Sequence, residues 1–109
     1  MEELQTVADL DRVLADSKGP LILYKHSTQC GICEGTIAEV EAFLEKDPAA
    51  AKVLYLDLLA HRDVSNAIAQ RLGVKHESPQ AIVLKEGKVA AVLNHRAIRV
   101  AALEKALAP

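Results

Sequence analysis

Residues 21–33 read Leu21-Ile22-Leu23-Tyr24-Lys25-His26-Ser27-Thr28-Gln29-Cys30-Gly31-Ile32-Cys33, and this stretch decides the fold. Its opening run, Leu21 to Tyr24, is nearly all apolar and too short for a helix, the pattern of a strand buried on both faces. The loop from His26 to Gln29 follows, and then the period changes. Cys33, Ile37, Val40 and Leu44 recur at helical spacing, while Glu34, Glu39, Glu41 and Glu45 lie elsewhere on the wheel. Strand, short loop and helix thus meet at two cysteines, and Asp47-Pro48 ends the helix.

Outward from this unit the chain alternates. Upstream, Thr6 and Asp9 resemble a capping box opening a helix with Val7, Leu10, Val13 and Leu14 on one face, stopped by Lys18-Gly19-Pro20. Downstream, 53–58 reads as a second strand. A helix over 63–72 turns Val64, Ala67, Ile68 and Leu72 inward and stops at Gly73. Ser78-Pro79 leads into a strand over 80–85, Glu86-Gly87 is a two-residue hairpin signal, and 88–93 is the returning strand. Ile98, Ala101, Ala102 and Leu103 open a last helix ending near Leu107. Strands separated by helices imply parallel pairing with right-handed crossovers, and the hairpin adds antiparallel strands. The expectation is an α/β chain, one domain over 1–109, with a central mixed sheet flanked by helices on both faces. A Cys-x-x-Cys between the first clear strand and the next helix is the arrangement of a thioredoxin-like fold.

Composition narrows the function. The core must be aliphatic, from 18 Ala, 15 Leu, 10 Val and 6 Ile against no Trp, one Phe and two Tyr. A net charge of -2 leaves no electrostatic footprint for nucleic acid or an anionic membrane. No apolar run approaches a membrane span, and Met1-Glu2-Glu3 is acidic where a signal peptide is basic, so the expected location is the cytoplasm. The chain is expected to be a monomer. A disulfide between Cys30 and Cys33 would close almost no loop, so two such cysteines point to chemistry or metal rather than stapling.

At the first turn of a helix, backbone N–H groups without intrahelical partners and the helix dipole favour a thiolate at Cys30. A cysteine near its ordinary pKa is roughly 3 % thiolate at neutral pH, and one lowered to about 7 is half ionised. Cys33, on the helical face of Ile37 and Val40, is expected to be the more buried sulfur. The pattern assigns attack to Cys30 and resolution to Cys33, with Gly31 letting the backbone turn closely and Ile32 as a small apolar lid. Half a zinc site is the plain alternative. It needs two more ligands, and His26, His61, His76 and His95 are scattered without ligand spacing, so no metal is assigned. Ser78-Pro79 reads either as an ordinary trans proline or, in a thioredoxin-like fold, as a cis proline facing the cysteines and exposing backbone to substrate. His26 is either a proton partner for a thiolate or a loop histidine, and Lys25 adds positive potential or sits at the surface. Glu34 reads as a capping residue, and Arg62, His76 and Glu77 as solvated loop residues.

Three segments are similar to one known family. Lys25-His26-Ser27-Thr28-Gln29-Cys30, Arg62-Asp63-Val64-Ser65-Asn66-Ala67-Ile68-Ala69 and Val74-Lys75-His76-Glu77-Ser78-Pro79-Gln80 resemble the bacillithiol-system redox proteins, the monothiol bacilliredoxins, over about residues 20–107. The resemblance implies a thioredoxin fold, removal of bacillithiol from protein mixed disulfides, Cys30 as attacking thiol and Pro79 as the cis proline beside it. It also implies His76 and Gln80 near the site, and bacillithiol or another low-molecular-weight thiol as co-substrate with no bound cofactor. The family pattern at the motif is Cys-Pro-Ile-Ser, whereas this chain has Cys30-Gly31-Ile32-Cys33. Against ordinary thioredoxins, no Trp precedes Cys30, and Tyr24 takes the place of their buried acid. The rival expectations are a general dithiol or glutaredoxin-like reductase and a non-catalytic redox-sensing module.

Overall fold

A computed structural model describes residues 1–16, 18–29 and 31–109. The elements run β1 (Glu2–Glu3), α1 (Val7–Asp16), β2 (Leu21–His26), α2 (Cys33–Lys46), β3 (Lys52–Asp57), α3 (Arg62–Leu72), β4 (Gln80–Lys85), β5 (Lys88–Asn94), a 3-10 turn (His95–Ala97) and α4 (Val100–Leu107). The five strands form one sheet in the order β1-β3-β2-β4-β5. β2 lies at its centre, parallel to β3 from Leu21↔Lys52 to His26↔Asp57 and antiparallel to β4 from Leu21↔Leu84 to Lys25↔Gln80. All six residues of β2 are buried, which is why its sequence shows a continuous apolar run rather than alternation.

Strand side chains alternate between two cores. On one face Leu21, Leu23, Leu54, Leu56, Ile82 and Leu84 meet Leu10 of α1 and Val64 and Ile68 of α3. On the other, Ile22, Tyr24, Val53, Ala81 and Val83 meet Val40 and Phe43 of α2 and Leu103 of α4. Helices therefore cover both faces, and the α/β mixed-sheet expectation holds.

Local signals explain most boundaries. Thr6 Oγ1 accepts from the Asp9 N–H at 3.0 Å, the forward half of the capping box. The Asp9 carboxylate instead pairs with Arg12. Gly73 ends α3 in the left-handed region at φ 64°. Glu86 and Gly87 both take positive φ, 54° and 77°, as a tight two-residue hairpin whose twist matches its strands requires.

Four expectations are corrected. β1 was absent from the predicted order; a two-residue strand has no periodicity, and it is held by parallel pairing to β3 and by Leu4 N–H donating to Tyr55 O at 2.8 Å. β2 continues through His26, because Leu56 and Asp57 of β3 still face Lys25 and His26. Arg62 is the first residue of α3 rather than a loop residue. Ile98 precedes α4 instead of opening it: it is buried in the α2/α4 core, and the helix starts at Val100.

Candidate functional site

The site forms where β2 ends. Ser27, Thr28 and Gln29 lead away from the strand, with Gln29 N–H donating to Ser27 Oγ at 3.3 Å, and α2 begins at Cys33. Cys30, the expected attacking thiol, lies outside the described residues. Cys33 is 1 % exposed, as its place on the apolar face of α2 predicts. Ile32 stands at the helix N-cap with no side-chain hydrogen bond, and Glu34 occupies the first turn without forming a cap. A carboxylate there still suits the dipole of the helix N-terminus.

Gly31 is exposed and Ile32 half-buried, and the two line a groove of about 350 Å³ with Gly35, Thr36, Arg96 and Arg99. The lid expected of Ile32 is thus one wall of an open groove. Arg96 and Arg99 were not foreseen, because they follow β5, more than sixty positions from the motif in sequence.

Alternation along β2 sends two polar groups to opposite faces. Tyr24 and His26 point toward α2. The Tyr24 hydroxyl, fully buried, lies 2.9 Å from His26 Nδ1 and 2.9 Å from Thr36 Oγ1, and the Thr36 hydroxyl donates to Cys33 O at 3.1 Å. The rings of His26 and Tyr55 are 5.4 Å apart. His26, Ser27, Thr28, Cys33 and Glu34 line a common cavity of about 280 Å³. Burial pushes the His26 pKa below its ordinary value, opposed by the carboxylate of Asp57 across the parallel pair. Burial likewise pushes Tyr55 up, aided by Asp57, Glu3 and Cys33.

Lys25 points the other way, toward α3, and is fully buried rather than at the surface. Its Nζ lies 3.2 Å from His76 Nδ1, and Ser65 Oγ lies 3.3 Å from the same nitrogen. Desolvation lowers the Lys25 pKa to about 8, and burial followed by the Lys25 charge lowers that of His76. His76 is therefore an exposed loop residue, as expected from its type, but one that covers a buried amine.

The Ser78-Pro79 peptide bond is cis. Pro79 immediately precedes β4, whose first residue Gln80 faces Lys25, so this loop and the end of β2 share one end of the sheet. Pro79 O accepts from His95 N–H at 2.9 Å. Gln80 Nε2 donates to Lys75 O and Asn94 Oδ1, whereas Gln80 Oε1 and Ser78 Oγ are buried without a hydrogen-bond partner among the described residues. Of the predicted residues, Cys33 and His26 thus come together on one side of β2. Ser78, Pro79 and His76 gather with Lys25, Ser65 and Gln80 around the strand pair β2/β4. Among the described residues no group of three His, Cys, Asp or Glu side chains is placed to hold a metal ion.

A central strand running into a helix that opens at a buried cysteine, with a cis proline at the same end of a mixed sheet, defines a thiol redox protein of thioredoxin fold. Within that class the chain belongs to the monothiol bacilliredoxins: the family described as monothiol bacilliredoxin BrxC matches residues 2–103. A solved structure described as a candidate oxidoreductase with a thioredoxin fold is 30 % identical, with a TM-score of 0.87, covering 96 % of this chain and 91 % of that one. The thioredoxin of Fasciola hepatica is 19 % identical at a TM-score of 0.75 over 98 % and 96 % of the two chains. Mitochondrial thioredoxin 3 of Saccharomyces cerevisiae is 18 % identical at 0.75 over 98 % and 92 %. The last two establish the likeness of fold. No helix among the described residues is long and apolar enough to cross a membrane.

Proposed function

We propose that this chain is a thiol-disulfide oxidoreductase that strips bacillithiol from proteins carrying it as a mixed disulfide, using two cysteines of its own. In the first step the Cys30 thiolate attacks the bacillithiol sulfur, the protein thiol leaves reduced, and Cys30 holds the bacillithiol. In the second, Cys33 attacks Cys30 Sγ, bacillithiol leaves as a thiol, and a Cys30–Cys33 disulfide remains. Two equivalents of a low-molecular-weight thiol return that disulfide to two thiols. Backbone beside Ser78 and Pro79 would pair with an extended substrate segment, and Gly31 and Ile32 would form the adjoining groove wall.

The observation that carries the reading is Cys33 itself. A family described by one thiol has here a second one, buried as the first residue of α2 and three positions from Cys30. Buried, and lining a cavity with His26 and Glu34, it is ill placed to meet bulky substrate, yet suited to act on its neighbour. A short pair of thiols of this kind suits a reducing compartment such as the cytoplasm.

Mass spectrometry after exposure to bacillithiol disulfide tests the cycle. Cys33→Ser should accumulate one bacillithiol adduct on Cys30, while the wild type should pass to the intramolecular disulfide and retain none. An absence of adduct in the variant would refute the assignment, and a stable adduct in the wild type would remove Cys33 from the cycle.

A further inference from the structure

The hydroxyl hydrogens beneath Cys33 can be assigned one by one. Thr36 has a single hydroxyl hydrogen, and it donates to Cys33 O. Toward Tyr24, therefore, Thr36 Oγ1 accepts, and the one hydrogen of the Tyr24 hydroxyl is directed to it at 2.9 Å. Toward His26 the Tyr24 oxygen can then only accept, so the 2.9 Å contact is donated by His26 Nδ1. In the neutral ring this leaves Nε2 bare of hydrogen, with a lone pair to offer. His26 and Cys33 line the same cavity, and His26 is only 7 % exposed.

From this chain of bonds we infer that His26 is the proton acceptor for Cys33 in the resolving step. The inference rests on the two-cysteine reading and adds to it the path of the proton. The Cys33 S–H bond breaks as its proton passes to His26 Nε2. The thiolate so formed attacks Cys30 Sγ, and the bond between Cys30 Sγ and the substrate sulfur breaks. The departing thiolate takes a proton from the imidazolium or from water. Cys30 and Cys33 are oxidised to a disulfide, the substrate sulfur is reduced, and no outside oxidant enters.

The surroundings suit a base that starts neutral. From β2 the Tyr24 hydroxyl faces the ring, from β3 Asp57 and Tyr55, and from α2 Cys33 and Glu34 share the cavity. Desolvation favours the neutral ring at rest, and the Asp57 carboxylate favours the imidazolium once it forms. Asp57 is itself fixed, its Oδ1 accepting from the N–H groups of Leu59 and Ala60 at 3.2 and 3.3 Å.

The test is stopped-flow reaction of the reduced protein with one equivalent of 5,5′-dithiobis(2-nitrobenzoate). The first thionitrobenzoate release reports attack, and the second reports resolution. His26→Asn keeps a side-chain N–H to donate to Tyr24 but has no base. At neutral pH the ratio of second-phase to first-phase rate constants should fall at least about tenfold in this variant. The deficit should close as pH rises and hydroxide ionises Cys33 directly, which a purely structural defect would not do. An unchanged ratio, or a deficit independent of pH, overturns the inference while leaving the two-cysteine cycle intact. A wild type that gives no second release overturns both. Should His26→Asn fail to fold, nitrogen-15 NMR of the wild type decides the tautomer. A hydrogen-free Nε2 supports the inference, and a hydrogen-free Nδ1 overturns it.

Discussion

At the scale of single residues, the site holds two histidines fixed in opposite forms. His26 Nδ1 donates to Tyr24. His76 Nδ1 accepts, because the ammonium of Lys25 is a donor only, so the ring hydrogen of neutral His76 lies on Nε2. Lys25 is the more demanding of the partners. Its folded pKa of about 8 lies below its ordinary 10.5, so between these values the unfolded chain binds a proton that the folded chain has released. Stability from this group therefore rises with pH through that window and is at its lowest at neutral pH. Urea unfolding of wild type and Lys25→Met tests it. Between pH 7 and 10.5 the difference should move in favour of the wild type by up to about 3 kcal/mol. A difference flat with pH would mean that the amine is as well solvated folded as unfolded.

At the scale of elements, α2 and α4 are tied by one side chain. Glu39 Oε1 accepts from the Val100 N–H at 3.1 Å, doing for α4 what its own N-cap residue Arg99 does not. Glu39→Ala should lower stability by about 1 kcal/mol, the ordinary cost of losing a helix cap. Unchanged denaturant midpoints in that variant would show that water replaces the carboxylate at no cost. This tie also marks where sequence reading stops. The strand–loop–helix of 21–46 was legible because burial of β2 on both faces and the helical spacing after Cys33 leave separate local signatures. The hairpin was legible because Glu86-Gly87 is a turn in itself. Contacts such as Glu39 with Val100, Tyr24 with Thr36 or Lys25 with His76 join residues twelve to sixty-one positions apart and leave no local trace. So Cys33, His26 and Pro79 could be singled out by residue type and place. The burial of Lys25, the bond from Tyr24 to Thr36 and the arginines beside Ile32 required the folded chain.

At the scale of the whole molecule, the N-terminal residues close one side of the sheet. β1 pairs with β3, and Leu4 just beyond it is buried in the core shared by α1 and α3. Leu4→Ala should cost about 2–4 kcal/mol, because the lost transfer energy is joined by a cavity at a sheet edge that collapses only in part. Thermal unfolding reads this directly, and a loss near zero would show that the N-terminal segment is not anchored by that side chain. The pairing of β2 with β4 also gives the molecule a polarity. The cysteine helix, both histidines, Lys25 and Pro79 gather where β2 ends and β4 begins, while β4 runs to Lys85 and the hairpin at the other end.

That hairpin lies about 17 Å from the start of β4, the span of a six-residue strand. Its two turn residues are exposed and adopt positive φ for their own geometry alone. The turn at residues 86–87 is therefore a natural handle. A fluorophore, an affinity tag or a fused partner joined there would hang at the far end of the sheet, leaving the cysteine end uncovered.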